Sequence, residues 1–197
     1  MESLKKTPFS EVDATLEVLG KHGVTSQGLK SLRKNSDLAA KVASLIMTGV
    51  RTIFKVTVDY GLSLAEMIQA GQYDWFNDNI NDQNFSISGT SQHKMELILV
   101  HLNRSATNWE AFELLLLKNG LEPVKIEHLL AFGEAYPEMQ REFPIVALGS
   151  NCVNISGHSP RPYLVYHDGQ RKLDLCFGDF SGPWSARCRF LAIASRK

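Results

Sequence analysis

The sequence predicts an α+β protein: an N-terminal three-helix unit (residues 1–50), a central mixed α/β segment (51–144) and a C-terminal antiparallel β module (145–197), with 51–197 able to form one domain. Three observations predict it. The first fifty residues carry apolar side chains at helical spacing between capping residues. From Arg51 the pattern switches to alternation, and after Phe143-Pro144 short apolar runs follow one another between turn residues. A length of 197 residues supplies one good-sized core, or a small helical unit joined to a larger domain.

The N-terminal helices follow from caps and spacing. Ser10 and Asp13 suit an N-cap and a first-turn carboxylate, with Val12, Leu16 and Leu19 on one face before Gly20 to Gly23. Thr25 or Ser26 can cap a second helix carrying Leu29 and Leu32. Ser36 can cap a third, with Leu38, Val42, Leu45 and Ile46 as its stripe.

In the central segment, Phe54, Val56, Val58 and Tyr60 alternate along a half-buried strand, and Ser63 caps a short helix closed by Gly71. Gln72 to Asp82 is rich in Asn and Asp and reads as a loop or short extended stretch pinned by Trp75 and Phe76. Asn84–Ser88 and Lys94–Leu102 read as two strands, the second apolar on both faces and so covered on both sides. A helix capped at Ser105 or Thr107 runs to Gly120, Leu121 to Pro123 break the chain, and Lys125–Tyr136 forms a helix with Ile126, Leu129, Leu130 and Phe132 inward.

The closing strands are 145–149, 163–166, 173–177 and 189–194, and Asp168-Gly169 is a strong hairpin signal.

Composition narrows the class. The chain is 44% hydrophobic and 21% charged, which is the range of ordinary globular proteins. Its opening residues lack the apolar stretch of a signal peptide, and its apolar runs are far shorter than the ~20 residues of a membrane span. Three cysteines, an odd number, fit a reducing compartment and a cytoplasmic location without a disulfide framework. The net charge of zero divides into +2, −6 and +4 over the three segments, leaving the C-terminus basic.

Candidate chemistry is sparse. Neither a Gly-x-x-x-x-Gly-Lys loop nor a Gly-x-Gly-x-x-Gly fingerprint occurs, and no cofactor is expected. Cys152, Cys176 and Cys188 with His158 or His167 could supply zinc ligands, but without a Cys-x-x-Cys pair they read better as small buried apolar residues. An enzyme would have its site near His101 or near Cys152, with His158 as base.

The string Glu138-Met139-Gln140-Arg141-Glu142-Phe143-Pro144-Ile145-Val146-Ala147-Leu148-Gly149-Ser150 and the closing Arg189-Phe190-Leu191-Ala192-Ile193 with Arg196-Lys197 resemble a family of small hypothetical proteins of uncultivated bacteria. Strand Phe54–Tyr60 and the stretch Gly71–Trp75 extend the resemblance over most of the chain. It implies no activity. Asn151 and Cys152 depart from the Val and Trp that relatives tend to carry, and Ala194-Ser195 separates the last strand from Arg196-Lys197. The order of short strands around Trp184 also resembles C-type-lectin-like folds, a likeness of fold alone.

The function expected is therefore non-enzymatic binding of a protein or small ligand by the loops of the C-terminal module, through Asn151, Asn154, His158, Arg161, Tyr166, His167, Arg171, Trp184 and Arg187. Aromatic, Arg and Asn side chains combine contact area with adaptable hydrogen bonding. Tyr163, Phe180 and Trp184 have a competing use as core filling. The alternative is nucleic-acid binding through Lys30, Arg33 and Lys34 or the basic C-terminus.

Overall fold

A computed structural model describes residues 9–39, 42, 52–87, 89–150, 160–176 and 182–194. The chain divides into two compact units, 1–46 and 47–197.

In the first unit, α1 (Phe9–Lys21) and α2 (Ser26–Lys34) are joined by a tight turn. Gly23 takes φ +85°, and the Val24 and Gly23 amides donate to the carbonyls of Leu19 and Gly20. This left-handed cap satisfies the helix's last carbonyls, which is why glycine sits there. Thr25 caps α2 by accepting from the Gly28 amide at 3.2 Å. The next helical stretch, seen at 36–39 and 42, is capped by Asn35, which accepts from the Leu38 amide at 2.9 Å, rather than by Ser36. Leu45 and Ile46, expected in its stripe, lie outside the described residues.

The second unit is built on one mixed sheet. Its strands are β1 (Thr52–Asp59), β2 (Trp75–Phe76), β3 (Gln92–His101), β4 (Leu121–Pro123), β5 (Ile145–Val146), β6 (Arg161–His167), β7 (Gln170–Cys176) and β8 (Arg189–Ala194). The order is β1-β3-β8-β5-β6-β7-β2, with β4 also paired to β8. With α3 (Leu64–Ala70), α4 (Asn108–Asn119), α5 (Ile126–Ala135) and the single turn α6 (Met139–Glu142), the class is α+β.

The C-terminal strands β5, β6 and β7 run antiparallel to their chain neighbours, but they do not close on themselves. The last strand, β8, lies between β3 and β5, antiparallel to the first and parallel to the second. Its burial explains the insertion: Phe190, Leu191 and Ala192 are each 1% exposed or less, an apolar run that suits a strand covered on both faces.

One face of the sheet packs Phe54, Val56, Val58, Leu97, Leu99 and Leu191 against α3 and α5. The other packs Ile98, Val100, Val146, Phe190 and Ala192 against Ala111 and Leu115 of α4, with Trp184 and Cys188. The two-faced apolar pattern of β3 thus has a partner layer on each side. Between β6 and β7, Asp168 and Gly169 take φ +55° and +78°, the two left-handed positions that a tight hairpin with the sheet's twist demands.

Three local expectations are corrected. Residues 84–87 form no strand, because Phe85 and Ile87 are core anchors at the end of an Asn-bonded loop rather than members of a ladder. Leu121–Pro123, expected as a break, forms β4 by pairing with the end of β8. Trp75 and Phe76 form a short parallel strand on β7 but remain 43% exposed, so Tyr73, Ile80 and Phe85 do the anchoring. Among the described residues, no helix is long and apolar enough to cross a membrane.

Candidate functional site

Between α3 and residues 72–82 lies a half-open cleft of about 470 Å³. Ser63 and Glu66 form a reciprocal cap at the start of α3, with the Ser63 amide donating to Glu66 at 2.7 Å, so this wall is set by local sequence. α3 presents Leu64 and Ile68 to the cleft, and the opposite wall brings Tyr73, Phe76 and Ile80. Ala65, Gln69, Gln72, Asn81 and Asp82 complete the lining, with Asp82 the only ionisable acid or base among those residues besides the phenol of Tyr73.

Asparagine side chains hold the second wall by replacing backbone partners that an irregular segment lacks. Asn77 accepts from the Asn79 amide at 3.1 Å and donates to Asp174 of β7 at 2.9 Å. Asn81 accepts from the amides of Gln83 and Asn84 and donates to the Asp78 carbonyl. Asn84 donates back to the Asn79 carbonyl at 2.9 Å. The wall therefore keeps its shape without a ligand.

Arg171 ties that wall to the core. Its guanidinium donates to the carbonyls of Gly71 and Gln72 and, at 3.0 Å, to that of Gly133 in α5, while its own amide donates to Asp74 at 2.7 Å. The Tyr73 ring lies 5.2 Å below the guanidinium. Burial pushes the Tyr73 phenol well above its ordinary range, so it stays neutral. Gln72 is held at φ +50°, an uncommon backbone for a residue with a Cβ, at the point where Arg171 grips its carbonyl.

The residues expected to bind ligand do not converge. Arg171 is 7% exposed and Trp184 7% exposed, and both serve the interior, which corrects their expected place on an open loop surface. Trp184 donates to Asn108 at 2.7 Å and packs edge-on against Tyr163 and Phe190, the core use. Arg161 opens β6 and donates to the Ser150 carbonyl, whereas Tyr166 and His167 lie at the other end of that strand. Arg141 covers the Tyr166 ring, and His167 pairs with Asp168 at the hairpin tip. Arg187 is exposed. Asn151, Asn154, Cys152, His158 and Phe180 lie outside the described residues.

His101 ends β3 with Nε2 2.8 Å from the Ala186 carbonyl, a structural hydrogen bond, and it does not line the cleft. Cys188 is buried 3.6 Å from the Ser185 hydroxyl, and burial raises its thiol above the ordinary range, away from the reactive thiolate. Among the described residues, no group of three His, Cys, Asp or Glu is placed to hold a metal ion. Lys30, Arg33 and Lys34 do share one exposed face of α2.

The cleft was only partly visible in the sequence. The Asn-rich run with its aromatic residues marked the wall, but its pairing with α3 across the mouth is a tertiary event. No family model, curated protein or solved structure matches the chain.

Proposed function

We propose that this protein is a non-enzymatic binding protein for a small molecule with an apolar body and a cationic end, taken up in the cleft between α3 and residues 72–82. The observation that carries the reading is a preformed cleft of about 470 Å³ with a largely apolar lining that includes one carboxylate, Asp82. Ligand sites are commonly concavities of roughly 300–1,000 Å³ with few, placed polar groups. Leu64, Ile68, Phe76 and Ile80 suit an apolar or aromatic body, and Asp82 suits an amine. The Asn network and the Arg171 clamp support it further, because a rigid wall lowers the ordering cost of binding.

The test is a titration of the isotopically labelled full chain with phenethylamine and tryptamine, with benzoate as the wrongly charged control, followed by amide chemical shifts. Saturable shifts confined to residues 64–82 are expected. Ala65→Trp, which fills the mouth, should remove them, and Asp82→Asn should weaken binding about tenfold, or 1.4 kcal/mol. Shifts scattered over the surface, or unchanged in Ala65→Trp, would sink the reading.

Nucleic-acid binding is a second reading, favoured by Lys30, Arg33 and Lys34 at i, i+3 and i+4 on exposed α2. Asp13 of the neighbouring helix opposes one such charge and Glu17 is already paired with Lys21 at 2.8 Å, so three cations supply only a modest field. Retention on duplex DNA at low salt, lost in the triple Lys30→Gln, Arg33→Gln, Lys34→Gln variant, would support it; no retention, or retention that survives the substitutions, would count against it.

A further inference from the structure

We propose that a second pocket, at the start of α5, binds a small zwitterion of the amino-acid class, with its ammonium group on Glu127 and its carboxylate on Lys125 and Ser150. The pocket measures about 200 Å³ and is lined by Lys125, Ile126, Glu127 and Ser150, with Phe85, Ser86 and Gly149 completing it. None of these lines the cleft described above. At ~30 Å³ for a water-sized atom group, the space holds on the order of six or seven such groups, the size of a small amino acid.

The observation that points to a ligand is Glu127. Its side chain is 6% exposed, and Oε2 has no hydrogen-bond partner. The ionisable side chain nearest to ion-pair geometry is His128, with Nδ1 3.9 Å from Oε1, while the Lys125 charge acts on the carboxyl only as the smallest of its influences. That nitrogen already accepts from the Lys125 amide at 3.2 Å, and Nε2 lies 3.3 Å from the Tyr60 hydroxyl, so the imidazole is the neutral Nε2–H form. It cannot neutralise a carboxylate. A buried carboxylate oxygen left without a partner is costly, and a donor cation supplied from outside relieves that cost.

The rest of the lining selects the other end of the ligand. At the start of α5 the Lys125 amide donates to His128 and the Ile126 amide donates to the Ser150 hydroxyl at 2.6 Å. Ser150 accepts in that bond, and its hydroxyl proton remains to donate to a carboxylate beside the Lys125 ammonium. Phe85 and Ile126 face the aliphatic part.

In acid, where the Glu127 carboxyl is protonated, binding should release a proton. Burial holds the Glu127 carboxyl above the usual carboxylate range, and an ammonium beside it would favour ionisation. The titratable groups facing Glu127 are His128 and Lys125 on its own element, Tyr60 at the end of β1, and Asp59 and Glu134 around a small cavity on its other side.

The experiment is calorimetric titration of the full chain with L-alanine, L-serine, methylammonium and acetate, repeated in mild acid in two buffers of different ionisation enthalpy. The zwitterions should bind saturably and at least about tenfold more tightly than either half-ligand, with buffer-dependent heat that reports proton release. Glu127→Gln should remove that proton release and weaken binding, and Lys125→Met should weaken it with the proton release intact. The exposed Lys125 keeps the test decisive if the Glu127 variant fails to fold. Absence of saturable binding, or alanine binding unchanged in folded Glu127→Gln or in Lys125→Met, would overturn the proposal.

Discussion

His128 shows how one residue can carry a pH dependence for the fold. It is buried and neutral, and burial lowers its pKa from the ordinary 6.5 to about 4. A base whose folded pKa is depressed binds fewer protons folded than unfolded between those two values, so stability falls as acid is added. The loss begins near pH 6.5 and ends near pH 4, and its ceiling for the full interval is about 3 kcal/mol. Urea unfolding across that range should show a falling midpoint, and His128→Asn should flatten the curve; an unchanged slope in the variant would show that other groups carry it. Glu127 works in the opposite sense. Its raised pKa gives stability that is whole below the ordinary carboxylate range and is lost as the pH rises through the folded value.

At the scale of elements, the contact of α5 with β6 and the cleft wall depends on an absent side chain. A Cβ on Gly133 would collide with the Tyr73 hydroxyl and come within 2.9 Å of Leu164 in β6. The helix otherwise gains nothing from glycine, which lowers helix stability relative to alanine by about 1 kcal/mol. Close approach is what Gly133 provides, together with a carbonyl for Arg171. Gly133→Ala should therefore destabilise the protein by about 1–3 kcal/mol through overpacking. Tyr73→Phe removes a buried hydroxyl that has no hydrogen-bond partner, so alone it should be close to neutral. In the double variant Tyr73→Phe should recover part of the loss, a coupling measurable by thermal or urea unfolding; strictly additive effects would place the strain at Leu164 instead.

Secondary structure at this scale was largely legible. β1, β3, α3 and the β6–β7 hairpin follow from alternation, from the Ser63–Glu66 cap and from Asp168-Gly169, all of which act between near neighbours in the chain. The misread elements have different causes, one non-local and one local. β4 exists because the end of β8 offers it a ladder, and 84–87 is irregular because Asn81 and Asn84 bond the preceding loop. Arg171 looked like a surface recognition residue because Arg is common there, whereas Trp184 suited either that use or the core. A guanidinium can instead be buried when three carbonyls accept from it, and only the fold brings those carbonyls together.

For the whole molecule, both apolar clusters lie between Phe54 and Ala192. In the unit 1–46, none of the residues whose exposure is described is buried, and Val12, Leu16 and Leu19 are 37–41% exposed. Stability should therefore reside in the larger unit. Removing residues 1–46 should leave the thermal midpoint within a few degrees of the full chain, whereas a large drop or an insoluble product would show that the larger unit depends on the helices. The apolar residues of α1 were legible from their spacing, but not their exposure, because periodicity says which face is apolar and not whether anything covers it.

The sequence by itself determined the α+β class, the helix caps, the alternating strands and the hairpin turn, since each depends on propensities and hydrogen bonds within a few residues. Tertiary structure alone decided that β8 would enter the centre of the sheet, that Arg171 would clamp Gly71, Gln72 and Gly133, and that Oε2 of Glu127 would be buried without a partner. The sign of Glu127 was present as a charge inside the apolar run Ile126 to Phe132, yet at a helix start it looked like an ordinary first-turn carboxylate. Burial and unmet hydrogen bonds are properties of what surrounds a side chain, and residues distant in the chain supply those surroundings.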